Sequence, residues 1–174
     1  PFILTLGTLI AFRGLRRMIR TSSVGSLPDA LLFLGGGKLF GTLNVAAVVV
    51  VATALLVWVF LNYTDTGMKI YQIGGDAFSA SLVGVDVKNI RLLVHVVAGA
   101  LAGLAGLVFI GYNTAASQGM MDGQLFWVFG VAVLGGISLN GGRGHVLDVI
   151  GAILFWTALQ SGLSFVGMDT AMRG

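Results

Sequence analysis

Continuous apolar runs of membrane-spanning length dominate this sequence. Residues 43–60 and 92–112 are each long enough to cross ~30 Å of hydrocarbon at about 1.5 Å per helical residue. Their apolar residues follow one another without a break, whereas the strands of a membrane barrel alternate apolar and polar residues. With 56% apolar and 10% charged residues, the chain also has too little polar surface to cover a water-soluble domain. The sequence therefore predicts an all-α, polytopic transmembrane bundle.

The hydropathy pattern predicts five membrane segments in one transmembrane domain covering residues 1–174. The fourth segment is short and contains a pair of glycines, which is typical of a broken or re-entrant helix. A Gly- and Ser-rich stretch with a short interfacial helix near Asp29–Leu34 follows the first segment. We expect the chain to be a fragment of a longer polypeptide. The predicted spans lie at about 2–20, 43–62, 92–112, 125–139 and 146–167, and a long polar loop occupies residues 63–91.

The composition argues against several kinds of chemical site. The chain contains no cysteine and no glutamate, so thiolate metal sites, disulfides and paired-glutamate sites are excluded. The spacing of His95, His145 and Asp148 matches no metal motif, and no His, Asp or Ser pair has a catalytic spacing. The glycine-rich stretches 35–41 and 141–147 lack the spacing of a phosphate-binding loop and are interpreted as tight turns and close helix contacts. We therefore expect neither an enzyme nor a metal or cofactor site.

The distribution of basic residues bears on partners and on orientation. Basic residues are spread over several loops without interleaved aromatic residues, which argues against nucleic acid binding. Arg13, Arg16, Arg17 and Arg20 form one helical stripe that can reach lipid headgroups or face a water-filled cavity. A count of all basic residues weakly favours the opposite side as cytoplasmic. If this stripe lies within the first helix and faces the bundle, the remaining charges instead favour a cytoplasmic position for residues 63–91, which is the orientation we expect.

Small residues predict close helix packing at two places. On the third predicted span, three glycines recur on one face together with alanines, which lets two helix backbones approach each other in lipid. The fourth segment contains a glycine pair. The predicted helix-packing residues are Gly99, Gly103, Gly106, Gly135 and Gly136.

Three blocks of the sequence resemble one family of membrane proteins. Residues 64–93, TDTGMKIYQIGGDAFSASLVGVDVKNIRLL, resemble the cytoplasmic loop of the permease subunits of ribose-type ABC sugar importers, in the branched-chain amino acid and monosaccharide permease superfamily. Residues 1–15, PFILTLGTLIAFRGL, and residues 134–152, LGGISLNGGRGHVLDVIGA, resemble two further motifs of that family. The chain departs from the usual pattern at Asp76, where Asn is usual, and at Asp148, where Gly is usual.

The resemblance implies a transport subunit of the bacterial inner membrane that moves a monosaccharide or sugar-like solute. It implies no cofactor, and ATP hydrolysis would belong to a separate ABC ATPase subunit. An extracytoplasmic solute-binding protein and a second permease subunit would be further partners, and the lipid bilayer surrounds the helices. Two alternatives remain open, which are a branched-chain amino acid importer of the same superfamily and a passive channel.

The resemblance assigns residues to one site, and the placement of polar residues in apolar segments suggests a second. A short helix of small residues within the polar loop, near Gly75–Val85, would sit in a groove of the ATPase subunit. The predicted coupling residues are Gly67, Gly74, Gly75, Asp76, Ser79, Ala80, Leu82, Gly84 and Val85. From their placement in apolar segments, the residues expected along the solute path are Thr5, Thr8, Trp127, Gln160 and Ser161.

Overall fold

The computed structural model describes residues 2–19, 25, 27–39, 41–117 and 119–165. Within these residues the chain forms eight helices and one pair of two-residue strands, so the predicted all-α class is confirmed. Arg20 lies outside the described residues. The elements in chain order are α1 (Phe2–Ile19), α2 (Asp29–Gly36), β1 (Lys38–Leu39), β2 (Leu43–Asn44), α3 (Val45–Tyr63), α4 (Asp65–Gly75), α5 (Ala77–Leu82), α6 (Val87–Asn113), α7 (Gln124–Leu134) and α8 (Val146–Phe165).

Three of the described helices are long and apolar enough to cross a membrane. They are α3, α6 and α8, with mean hydropathies of 2.5, 2.3 and 1.6. At most 6% of each apolar stretch is buried inside the protein, so these helices present most of their apolar residues at least partly exposed, as helices in contact with lipid do. Helix α7 has 11 residues and is about 16 Å long, too short to cross the hydrocarbon layer. The membrane boundaries of the five predicted segments stay predictions.

Helix α6 begins five residues before the predicted span at residue 92. The Asp86 side chain explains this early start, because its Oδ1 accepts a hydrogen bond from the Asn89 amide at 3.1 Å. Its Oδ2 accepts a second bond from the Asn89 side chain at 2.7 Å. An aspartate that caps the first turn in this way stabilises the start of a helix. Much of the predicted loop 63–91 is therefore helical, in α4, α5 and the first turns of α6.

One compact unit of the fold comprises residues 1–46 and 106–120. In it the end of α2 packs against the end of α6 through two buried glycines, Gly35 and Gly111. A Cβ at Gly35 would overlap the backbone of Gly111 and Tyr112, and a Cβ at Gly111 would overlap the Leu31 carbonyl oxygen. Only glycine on both helices permits this approach.

A short antiparallel hairpin follows α2 in the same unit. Lys38 pairs with Asn44 and Leu39 pairs with Leu43. The Val45 amide then donates to the Gly37 carbonyl at 2.9 Å, which ties the first residue of α3 back to the hairpin. The sequence predicts only a glycine-rich loop here, because strands of two residues leave no alternating pattern to detect.

The second compact unit comprises residues 47–105 and 121–174. Its helices α7 and α8 pack closely, since a Cβ at Gly135 would lie 2.9 Å from the Val149 Cα. Val131 and Ala152 are buried on these two helices, with 3% and 5% of their surfaces exposed. The rest of this unit is formed by α3, α4, α5 and most of α6, which carry the polar region described next.

Candidate functional site

Helix α4 follows α3 through a single residue, Thr64. The Thr64 hydroxyl donates to the Phe60 carbonyl at 2.6 Å and accepts from the Gly67 amide at 3.1 Å, so it closes one helix and caps the next. Gly67 is buried, and a Cβ there would overlap the backbone of Leu61. Because this turn has no room for a side chain, α4 is held directly against the end of α3.

Helix α5 is capped at both ends by its own neighbours in the chain. At its start, Asp76 Oδ1 accepts from the Phe78 amide at 2.9 Å and Oδ2 accepts from the Ser79 hydroxyl at 2.5 Å. At its end, Gly84 has a φ of +83°, and its amide donates to the Ser81 carbonyl at 3.1 Å. The Val85 amide donates to the Ala80 carbonyl, also at 3.1 Å, and the two bonds together form a Schellman motif. The predicted short helix therefore exists over Ala77–Leu82.

Three large apolar side chains on α5 and at its end are exposed. Phe78, Leu82 and Val83 are 71%, 72% and 76% exposed, whereas Ala80 on the inner side is 4% exposed. Phe78 and Leu82 are four residues apart and so share one side of the helix. We refer to Phe78, Leu82 and Val83 as the α5 face. The sequence prediction included Leu82 but missed Phe78 and Val83 because it favoured small residues, although the i, i+4 spacing of two large apolar residues was a usable signal.

The pKa of the Asp76 carboxyl lies below its ordinary value of 3.8, first because of the hydrogen bond from the Ser79 hydroxyl and then because of the Phe78 amide. A pKa that is lower in the folded state stabilises the cap fully above the ordinary value, and this contribution is lost as the pH falls through the lowered value. We therefore expect unchanged hydrogen-exchange protection of residues 77–82 between about pH 5 and pH 8.

Asp76→Asn is the matched control for this pH dependence, because asparagine caps a helix about as well as aspartate but does not titrate. Below pH 3.8 the wild-type helix should lose protection relative to this variant, since its cap becomes protonated. Hydrogen exchange followed by mass spectrometry on both proteins at each pH provides the measurement. A loss of protection in the wild type near neutral pH would contradict the assignment of Asp76 as an ionised cap.

The end of α4 packs against the turn between α7 and α8. Gly74 and Gly75 of α4 meet Gly141 and Gly142 of the turn, and we call these four residues the glycine joint. A Cβ at Gly74 would lie 2.7 Å from the Gly142 Cα and still closer to the Gly142 nitrogen. Gly141 and Gly142 have φ values of +94° and +73°, which other residues rarely adopt. The sequence predicts a tight turn here but not its contact with α4.

A second contact lies one turn earlier on α4. The Tyr71 hydroxyl donates to the Gly144 carbonyl at 2.9 Å across 73 residues of sequence. Beside this bond lies an open cavity of about 700 Å³, bordered by ionisable side chains from both segments. These side chains are Asp65, Tyr71, Arg143, His145 and Asp148. No cluster of potential metal ligands occurs in the part of the chain that the structure describes.

The predicted packing glycines of α6 lie in open space. Apart from the neighbouring backbone of α6 itself, no described atom comes within 4 Å of a Cβ placed at Gly99, Gly103 or Gly106. Within the described residues, no second helix packs against these three glycines. Their role in packing against another helix stays a prediction. Of the predicted pair after α7, Gly135 packs against α8, whereas Gly136 has open space and a φ of +73°.

The residues predicted to line a solute path lie on three helices. Thr5 and Thr8 lie on α1, where the Thr8 hydroxyl donates to the Thr5 carbonyl at 2.9 Å. Trp127 is half-buried on α7, and Gln160 and Ser161 are exposed on α8. Their involvement in a path stays a prediction.

Comparison with known proteins places the whole chain within one family profile. Residues 1–174 match the family described as the permease component of branched-chain amino acid transport systems. The chain is 30% identical to the ribose import permease protein of Bacillus subtilis, with 98% of this chain and 53% of that protein covered. It is 31% identical to the D-allose transport system permease protein of Escherichia coli, with 98% and 52% covered.

A probable ABC transporter permease protein of Escherichia coli is 29% identical, with 97% of this chain and 51% of that protein covered. The chain therefore spans about half the length of the curated relatives it matches. No solved structure matches the chain.

Proposed function

Because the chain belongs to the family of permease components of branched-chain amino acid transport systems, we propose that it serves in the permease subunit of an ATP-binding cassette importer. The solute is a monosaccharide or a sugar-like molecule, since the names of similar proteins specify ribose and D-allose import. The protein itself is a transport component, and a separate ATPase subunit hydrolyses ATP. Its location is the bacterial inner membrane, with an extracytoplasmic solute-binding protein and a second permease subunit as further partners.

The exposed α5 face is the observation that carries this proposal. Phe78 and Leu82 lie on short helix α5 and Val83 directly follows it, between the membrane-length helices α3 and α6, and each is more than two thirds exposed. Large apolar side chains on a short, capped helix are suited to a groove on a protein partner. We assign the α5 face as the surface that contacts the ATPase subunit, on the cytoplasmic side of the membrane.

The connections of α5 explain how its movement can reach the membrane helices. Asp76 is the single residue between α4 and α5, and Thr64 is the single residue between α3 and α4. On the other side, residues 83–86 join α5 to the capped start of α6. Because these connections are short and hydrogen-bonded, a displacement of α5 by the ATPase subunit displaces α3, α4 and α6 as well.

Site-specific crosslinking tests the proposal directly. The chain has no cysteine, so single cysteines introduced into this region are unique within it. In the full-length protein purified with its candidate ATPase subunits, Leu82→Cys is expected to crosslink to the ATPase. Gln72→Cys provides the matched control, because Gln72 is exposed on neighbouring α4 and lies outside the α5 face. Absence of the Leu82 crosslink, or labelling of Leu82→Cys by an impermeant reagent from outside intact cells, would contradict the proposal.

Uptake measurements separate the alternatives. The family description names branched-chain amino acids, so labelled ribose, allose and leucine should be compared in the same reconstituted system with each cognate binding protein. We expect sugar uptake that requires ATP. ATP-dependent leucine uptake would instead identify an amino acid importer, and uptake without ATP would identify a passive channel.

A further inference from the structure

We propose that the glycine joint transmits the movement of α5 to α7 and α8, with Gly74 and Tyr71 acting as positioning residues. This inference rests on the proposed transport function and deepens it. According to this inference, the turn at residues 139–145 passes the movement of α4 and α5 on to α7 and α8 during transport. The claim concerns a contact within one compact unit of the chain, between α4 and a turn that lies about 70 residues further along the sequence.

The glycine joint is a contact between two backbones. A Cβ at Gly142 would lie 2.6 Å from the Gly75 nitrogen and 2.8 Å from the Gly74 carbonyl carbon, and a Cβ at Gly141 would lie 2.9 Å from the Gly74 oxygen. Flexible side chains can rearrange when a neighbour moves, but backbone atoms move only with their whole segment. The turn must therefore follow α4 when α4 shifts toward it.

The Tyr71 hydrogen bond gives this contact a second attachment point. Its donor lies one helical turn before Gly74, and its acceptor is the Gly144 carbonyl, two residues after Gly142. Two attachment points separated along both segments restrict rotation as well as translation. A pull on α4 is thus transmitted through the hydrogen bond, and a push is transmitted through the glycines.

The turn is also firmly attached to the helices on either side of it. Within the turn, the Ser138 amide donates to the Arg143 carbonyl and the Gly141 amide donates to the Ser138 carbonyl, both at 3.0 Å. At its base, Gly135 packs against the backbone of Val149 in α8. The turn therefore moves together with the end of α7 and the start of α8, the two helices that carry the predicted solute-path residues of this unit.

A pair of alanine substitutions isolates the glycine joint. Gly74→Ala places a methyl group against the Gly142 backbone, whereas Gly130→Ala adds the same group inside helix α7, where no atom of another segment lies within 4 Å. We expect Gly74→Ala to lower the solute taken up per ATP hydrolysed by about tenfold, and Gly130→Ala to leave this ratio unchanged. Tyr71→Phe removes only the hydrogen bond and is expected to lower the ratio about threefold.

The measurement uses the full-length protein with its ATPase subunits and binding protein in proteoliposomes, with uptake and ATP hydrolysis recorded in the same sample. Co-purification of the ATPase subunits is recorded for every variant. A lowered uptake-to-hydrolysis ratio together with wild-type ATPase association supports the inference. A general folding defect would lower the ATPase association as well as the ratio. If Gly74→Ala cannot be produced in folded form, the solute taken up per ATP hydrolysed by Tyr71→Phe tests the inference instead.

Two outcomes overturn the inference, and one concerns only the proposed function. A wild-type ratio in Tyr71→Phe together with a wild-type ratio in any folded Gly74→Ala protein would show that the contact transmits nothing. Equal effects of Gly74→Ala and Gly130→Ala would show that the contact is not the cause. If the wild-type protein neither binds ATPase subunits nor shows ATP-dependent uptake, the transport assignment itself fails.

Discussion

Combined replacement of Phe78 and Leu82 by alanine is expected to abolish ATP-driven uptake by releasing the ATPase subunit. Each side chain is more than 70% exposed, so the substitutions remove little packing within the protein. Burial of such a side chain at an interface contributes about 1.5–3 kcal/mol. Loss of both therefore weakens ATPase binding by roughly 100-fold or more. Alanine favours helical structure, so α5 itself should persist.

The measurement is the affinity between the full-length protein and its ATPase subunits in detergent or nanodiscs, together with ATP-dependent uptake. Met68→Ala provides the control, because Met68 is also a large apolar residue in this region, is 61% exposed and lies on α4 outside the α5 face. It should retain wild-type binding. Wild-type ATPase affinity in the Phe78 and Leu82 double variant would contradict the assignment of the α5 face.

Gly111→Ala is expected to be strongly destabilising. The added methyl group would overlap the Leu31 carbonyl oxygen, so α2 and the end of α6 must separate. Overpacking of a well-packed contact usually costs about 1–3 kcal/mol and occasionally more. We expect a cost at the upper end of this range, because the atoms in the way belong to backbone rather than to a flexible side chain. The thermal unfolding temperature in detergent should fall accordingly.

Gly36→Ala is the matched control for this experiment. Gly36 is the last residue of α2 and adjoins Gly35, but a Cβ there would have no atom within 4 Å. The same added methyl group should leave the unfolding temperature near the wild-type value. Similar unfolding temperatures for Gly111→Ala and Gly36→Ala would mean that α2 and α6 do not approach each other as described.

The sequence was sufficient to predict the features that depend on local apolar pattern. Long apolar runs predicted helices in the regions of α3, α6 and α8, because each helix satisfies its own backbone hydrogen bonds in lipid. The glycine pair within the fourth predicted segment, at about 125–139, predicted a short or broken helix, and α7 ends at Leu134, directly before that pair. The family assignment also came from local motifs, and the match over residues 1–174 confirms it.

The contacts that shape the candidate site depend on tertiary structure and were not predictable in the same way. The polar loop contains a full 11-residue helix, α4, whose apolar side chains are too sparse to stand out in hydropathy. Gly74 was assigned to ATPase coupling from a motif, whereas the structure shows its backbone against Gly142. No periodicity in the sequence indicates which turn a glycine will meet, so contacts such as the Tyr71 hydrogen bond require the fold itself.

The two caps of α5 have a consequence for the thermodynamics of association. Both the Asp76 cap and the Gly84 turn lie within residues 76–85, so the helix is held in shape by its own immediate neighbours. A segment that is ordered in advance loses little conformational entropy when it meets a partner. The free energy of contact is then available for affinity, and we expect the segment to engage and disengage repeatedly without refolding.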